Sequence, residues 1–173
     1  MKQNMKRIFL LGMFAMLFSL ISYSQVHWGG ELSSYRMDVS LSAKGDSAIL
    51  RIKYTSEGSS EINDNPRLLL KFYNDSIIDL SGIKLQAKTV KGDGVVIPIG
   101  SISYVATDDL KVSEASFTLS EGQAKLFSLG LKKFRMKTMK SYYEKEWKRD
   151  RVGKMLYEQY NNSKNTDKFR EDF

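Results

Sequence analysis

Tyr35-Arg36-Met37-Asp38-Val39-Ser40-Leu41, then Lys44-Gly45-Asp46, then Ala48-Ile49-Leu50-Arg51-Ile52-Lys53-Tyr54: this stretch decides the fold class. Tyr35, Met37, Val39 and Leu41 alternate with Arg36, Asp38 and Ser40. Successive strand side chains point to opposite faces, so a period of two predicts a half-buried strand. Lys44-Gly45-Asp46 carries turn chemistry. Ala48, Leu50, Ile52 and Tyr54 then alternate with Ile49, Arg51 and Lys53. Two such runs around a tight turn predict an antiparallel hairpin with one wet face.

The same punctuation continues downstream. Residues 56–66 read as a polar loop, and the leucine run Leu68-Leu69-Leu70 begins a strand with apolar residues on both faces. Ile83, Leu85, Ala87 and Thr89 alternate with Lys84, Gln86 and Lys88. Lys91-Gly92-Asp93-Gly94 is a hairpin signal, because glycine tolerates positive φ. Residues 95–105 read as one long strand, at an edge or bulged at Pro98, which has no N–H to give a ladder. Residues 115–119 add a short strand.

Ser120 changes the period. Ser120-Glu121-Gly122-Gln123 reads as a capping box, with Leu126, Phe127 and Leu129 behind it and Gly130 as the stop. A short helix over 121–129 is expected; the competing reading is a hairpin turn at Glu121-Gly122. Lys132, Phe134 and Met136 alternate with Lys133, Arg135 and Lys137, a strand with a basic outer row. From Tyr143 the spacing turns helical. Trp147, Val152, Met155, Leu156 and Tyr160 fall on one stripe, with Lys148, Arg149, Lys154 and Glu158 outside it. Residues 161–173 are polar and read as a flexible tail. Many strands followed by late helices predict an α+β, mostly antiparallel β domain, built as a β-sandwich with a docked C-terminal helix.

The chain opens with Lys2, Lys6 and Arg7, then a charge-free apolar run over 8–21, then Ser22-Tyr23-Ser24. That is the layout of an export signal. A membrane span needs about 20 apolar residues, more than this run supplies. The expectation is cleavage before Gln25, one domain over 25–160, and a periplasmic or secreted location with no membrane span after cleavage. The chain has no Cys, so an exported domain of this kind must be held by its core. Its formal charge of +7 is uneven: residues 131–173 carry 13 basic and 7 acidic side chains, whereas residues 25–130 are slightly acidic.

Gly130-Leu131-Lys132-Lys133-Phe134-Arg135-Met136 and the run Trp147-Lys148-Arg149-Asp150-Arg151-Val152-Gly153-Lys154-Met155-Leu156-Tyr157 resemble the ends of small exported Bacteroidota proteins of unassigned function. Ser-Tyr-Ser before Gln25 resembles their export signals. The resemblance implies a helix-strand-helix ending; it carries over no catalytic residue and says nothing about activity.

Catalytic chemistry is thinly supplied. With a single histidine, His27, and no Cys, thiol catalysis and a zinc site of two or more His or Cys ligands are excluded. His27 lies at the mature N-terminus, poorly placed for a Ser-His-Asp relay. Asp64 and Asp108-Asp109 sit in loops without apolar neighbours, and Asn63-Asp64-Asn65 fits turn chemistry better than calcium. Gly92-x-Gly94 opens no helix and cradles no phosphate. The basic residues Lys133, Arg135, Lys137, Lys140, Lys148, Arg149, Arg151 and Lys154 are interleaved with Glu144, Glu146, Asp150 and Glu158, which reads as a self-paired solvated face, including an Asp150–Lys154 pair.

No catalytic, cofactor-binding or metal residue is assigned, and no cofactor is called for. The preferred reading is a non-catalytic exported binding or accessory module of the cell envelope, its partner an envelope protein or an anionic glycan rather than nucleic acid. The alternative is a small hydrolase using carboxylates on glycans. The export reading has a direct check. Mass spectrometry of the secreted or periplasmic product should give an N-terminus at Gln25; retention of residues 1–24 in a membrane fraction would overturn it.

Overall fold

The computed structural model describes residues 25–29, 35–57, 60–90, 95–99, 102–106 and 109–171. The strands are β1 (Val26–Gly29), β2 (Tyr35–Lys44), β3 (Ser47–Glu57), β4 (Arg67–Phe72), β5 (Ile77–Val90), β6 (Val95–Ile99), β7 (Ile102–Ala106), β8 (Leu110–Ser120), β9 (Leu131–Lys137) and β10 (Tyr142–Glu146). Helix α1 is Glu121–Lys125, continued by a 3-10 turn over Leu126–Leu129, and α2 is Val152–Glu171. Eight strands join in the order β1-β2-β3-β8-β5-β4-β9-β10, with every pairing antiparallel. The chain is therefore mostly antiparallel β, with helices at the end.

The expected hairpin forms in register, Val39 opposite Ile52 and Leu41 opposite Leu50. The expected two separate sheets do not. One curled sheet replaces them, because β5 is shared between its halves. Residues 77–81 of β5 pair with β4, and residues 82–90 pair with β8. The crease falls at Gly82, opposite Phe117, where an added Cβ would sit 2.6 Å from the Phe117 ring. Only a residue with no side chain lets the fully buried Phe117 fill the bend.

The alternation of β5 runs on through the crease. With Gly82 turned inward, Ile83 is exposed (71 %) and the Lys84 side chain is turned in (18 %). A bulge between Lys84 and Gln86 leaves Leu85 half exposed. Lys84 reaches Glu61 at 3.5 Å and Asp64 at 2.8 Å, while Lys111 reaches Glu61 at 3.7 Å. This network closes one end of the curl. The segment read as a polar loop supplies the plug: Ile62 is fully buried, donates its N–H to Ser113 Oγ at 3.0 Å, and bridges to Thr138.

The two ends of the sheet meet through side chains. Trp28 of β1 stands edge-on to Phe134 of β9 and to Trp147, at 5.3 and 5.2 Å between ring centres. Its indole N–H donates to the Tyr143 hydroxyl at 3.0 Å. Tyr35 and Tyr54 pack on Tyr143 from the other side.

The capping box forms as expected. Gln123 N–H donates to Ser120 Oγ at 3.2 Å, and Ser120 N–H to Gln123 Oε1 at 2.9 Å. The helix it starts is short and tightens into the 3-10 turn, ended by Gly130 at φ +87°. Residues 95–105 form two strands rather than one, β6 pairing only with β7 and Pro98 opposite Ser103. Among the described residues, Pro98 thus sits in a two-stranded ribbon. The hairpin signal over 91–94 lies outside the described residues.

The C-terminal helix departs from its expected bounds. Tyr142–Glu146 is an edge strand, and α2 begins only at Val152. Trp147 precedes the helix and packs on Trp28. On α2, Val152, Leu156 and Tyr160 are buried as expected, but Met155 is exposed. Nor does the helix stop at Tyr160. It runs to Glu171, with Ser163 buried and Lys164 paired to Glu121 at 2.6 Å. Polar residues dock it: beyond β1, the free edge of β2 gives Leu41 N–H to Gln159 Oε1 (3.3 Å) and Ala43 N–H to Ser163 Oγ (2.7 Å). A helix thereby covers a strand edge that would otherwise present unpaired N–H groups.

Asp150 joins this helix to the sheet. Its carboxylate accepts the N–H groups of Gly153 at 2.8 Å and Lys154 at 3.1 Å, capping α2, and that of Leu131 at 3.0 Å, where β9 starts. The expected ion pair to Lys154 is replaced by these backbone bonds.

The crease is testable. Gly82→Ala, measured by urea unfolding of residues 25–173, should cost about 1–3 kcal/mol, since Phe117 and the Ser116 carbonyl both lie 2.6 Å from the new methyl. An unchanged midpoint would show that the bend does not depend on the missing side chain.

Candidate functional site

The outer face of β2, β3 and β8 carries a groove of about 410 Å³. Strand register sets its floor. Asp38, Lys53 and Glu114 lie in one cross-strand row, and Ser40, Arg51 and Ser116 in the next. These are the polar halves of the alternations that build the core, so they share one face. Leu85, thrown outward by its bulge, borders the groove, and Gln159 and Ser163 of α2 border it at the β2 edge.

Asp38 stands out in this set. Its side chain is 6 % exposed, and it is the only buried acid among the described residues. Burying a carboxylate costs free energy unless it is partnered. Arg36 supplies a partner, its Nε donating to Asp38 Oδ1 at 2.9 Å. Arg36 itself is 56 % exposed, so the pair couples a buried anion to solvent. The groove therefore offers both charge signs, serine hydroxyls and an apolar border.

The residues singled out from sequence lie elsewhere and do not converge. His27 is exposed on β1, between buried Val26 and Trp28. Asp64 is exposed and binds Lys84, whose pKa that hydrogen bond raises. Asn63 Oδ1 accepts Asn65 N–H at 3.0 Å, so this segment is a turn. Asp109 is exposed, and Asp108 lies outside the described residues. Among the described residues no three His, Cys, Asp or Glu side chains are placed to share a metal ion. Also among them, no helix is long and apolar enough to cross a membrane.

Part of the basic row is self-paired. Glu144 of β10 binds Lys133 at 2.7 Å and Arg135 at 2.5 Å, and these hydrogen bonds hold its pKa below the usual carboxylate value. Arg135 also lies over the exposed Tyr142 ring at 4.8 Å. Most aromatics are spent on the core: Trp28, Tyr54, Phe72, Phe127, Phe134 and Tyr160 are all buried.

Asp38 was within reach of sequence reasoning. An acid on the polar side of an alternating strand, two residues after an arginine, is visible in Arg36-Met37-Asp38. Glu114, two strands away in the same row, was not, because β3–β8 pairing spans some sixty residues of intervening chain. No protein-family model, curated protein or solved structure matches the chain.

The most strongly perturbed ionisable group belongs to the seam. Burial first, then its hydrogen bond with Tyr35, pushes the Tyr143 hydroxyl far above the usual tyrosine pKa. A neutral hydroxyl held between Trp28 and Tyr35 is a strut. Because the folded pKa is raised, this contribution is complete below the unfolded value of about 10 and is lost as pH climbs above it. Tyr143→Phe should lower stability at neutral pH by about 0.5–1.5 kcal/mol and flatten the decline above about pH 10. Urea midpoints of both proteins across that range check it; parallel alkaline slopes would assign the loss to other groups.

Proposed function

We propose that the chain is an exported, non-catalytic binding or accessory module of the cell envelope, which takes a segment of anionic glycan in the β2-β3-β8 groove. The observation that supports it most is the buried Asp38 on the floor of an otherwise open polar face. The core does not need a carboxylate there, and a hydrophobic sheet would be cheaper without it. Arg51 and Lys53 offer cations for a sugar carboxylate or sulfate. Asp38, Glu114 and the serines Ser40 and Ser42 offer acceptors for hydroxyls, and Leu85 an apolar face for a ring. The volume falls within the range of about 300–1,000 Å³ that small-ligand sites occupy. The export layout of residues 1–24 supports an envelope location, and the facing halves of the curled sheet give the rigid support expected of a sandwich-like binding domain.

A second reading, a small glycan hydrolase, has one observation in its favour. Asp38 and Glu114 share a row two strands apart, on the order of 10 Å between backbones at the usual strand spacing. Inverting glycosidases separate their carboxyl groups by about 6.5–9.5 Å. Against it, Lys53 occupies the register position between them, where such an enzyme keeps an open slot for the sugar and water.

Calorimetric titration of residues 25–173 with uronic-acid oligosaccharides separates the readings. Arg51→Ala with Lys53→Ala should weaken binding roughly tenfold or more with little change in melting temperature. Binding that survives this double substitution would place the ligand elsewhere. Release of reducing sugar that disappears in Asp38→Asn or Glu114→Gln would replace the module reading by the hydrolase.

A further inference from the structure

The corner where the 3-10 turn meets the start of α2 has an unusual charge arrangement. Lys148, Arg149, Arg151 and Lys154 are all exposed, and none has an ion-pair partner among the described residues. The acid that the sequence places among them, Asp150, is turned inward and occupied by the N–H groups of Leu131, Gly153 and Lys154. The neighbouring cations are already satisfied: Lys71 and Lys132 meet Asp75, and Lys133 and Arg135 meet Glu144. The remaining acids lie at the margins. Glu146 approaches Lys133 at 4.0 Å, and Glu158 stands one turn beyond Lys154. The corner thus gathers four exposed cations without ion-pair partners around one inward-turned carboxylate.

Its position is fixed. Gly130 is tied by its carbonyl to Tyr73 N–H at 3.1 Å, and the Tyr73 hydroxyl donates to the Trp147 carbonyl at 2.6 Å. The two elements that meet here each carry an exposed apolar side chain. Leu129, immediately before Gly130, is 49 % exposed; Met155, whose N–H bonds to the Arg151 carbonyl, is 44 % exposed. Neither belongs to the core. A scattered exposed leucine needs no explanation, but an exposed Leu and Met set among unpaired Lys and Arg form the composition of a peripheral membrane contact.

We propose that this corner docks on an anionic lipid surface. Lys148, Arg149, Arg151 and Lys154 meet the headgroups, and Leu129 and Met155 enter the boundary between headgroup and acyl chain. The charge complementarity selects the occupant, and the apolar pair selects a bilayer over a soluble polyanion, which offers nothing for Leu129 and Met155 to enter. Each basic residue near such a surface contributes roughly fivefold in partition. Four of them give several-hundred-fold, screened beyond about 8 Å at physiological salt. The contact is independent of the groove on β2, β3 and β8.

Sedimentation of residues 25–173 with phosphatidylcholine vesicles, with and without phosphatidylglycerol, tests it. Binding should require phosphatidylglycerol and weaken with added salt. Arg149→Ala with Arg151→Ala should lower partition by roughly 25-fold. Leu129→Ser with Met155→Ser should lower it too, while leaving binding to heparin unaffected. Lys133→Ala, at a paired position, should change vesicle binding little. All these side chains are at least partly exposed, so melting curves should stay close to the parent. Failure of the intact protein to bind phosphatidylglycerol vesicles would overturn the proposal. So would vesicle binding that is unchanged by Leu129→Ser with Met155→Ser, since a soluble polyanion would then be the better occupant.

Discussion

The Phe117 ring over Gly82 is the contact on which the rest of the molecule is arranged. It bends β5 so that one half pairs with β8 and the other with β4, and eight strands become a curl rather than a flat sheet. The alternation of β5 and the bulge after Lys84 then set what lies beyond the crease. Lys84 is turned inward and needs Glu61 and Asp64, so the loop carrying them is pulled over the open end. Ile62 on that loop then becomes core. Ile83 and Leu85 are turned outward, and Leu85 leaves an apolar border beside a polar groove.

A curl also has two sheet ends to manage. The aromatic seam joins them without backbone pairing: edge-to-face ring contacts and the Trp28–Tyr143 hydrogen bond fix the distance between β1 and β10. The uncovered part of β2 is closed by α2 instead of by another strand. Gln159 and Ser163 do there what a ladder would do, and this explains why a helix with little apolar character holds its place. Its docking mixes three buried apolar residues with polar groups that each answer a specific backbone N–H.

Local features were legible in the sequence, and the β2–β3 hairpin, the capping box and the alternation of β9 carried over intact. Long-range features were not. Phe117 announces nothing about Gly82, which lies thirty-five positions earlier, and period-two alternation is blind to which face a crease will turn inward. Ile62 was hidden because one apolar residue in a polar segment has no period. The helix start drawn at Tyr143 was misplaced for a related reason. Tyr142–Glu146 has its aromatic residues at the start and charge afterwards, so a short edge strand and a helix entry look alike. The polar sequence after Tyr160 suggested fraying because pattern reading credits only apolar contacts. Of the candidate groove, Asp38 and Arg51 were visible as members of a wet face, but which strand would lie beside β3 was not.

Charge distribution links the sheet edge to the start of α2. The basic excess of the C-terminal quarter is not uniform once folded. Where β9 and β10 run side by side, Lys133 and Arg135 face Glu144 across a ladder, and the strand register itself neutralises them. Past Trp147 the chain leaves the sheet, and no neighbouring strand remains to supply acids. The one acid in the connecting loop, Asp150, has a more demanding task, because three buried or capping N–H groups converge on it and each would otherwise lack a partner. Satisfying the backbone therefore leaves the side chains of the loop uncompensated. The positive corner is a by-product of how α2 is capped.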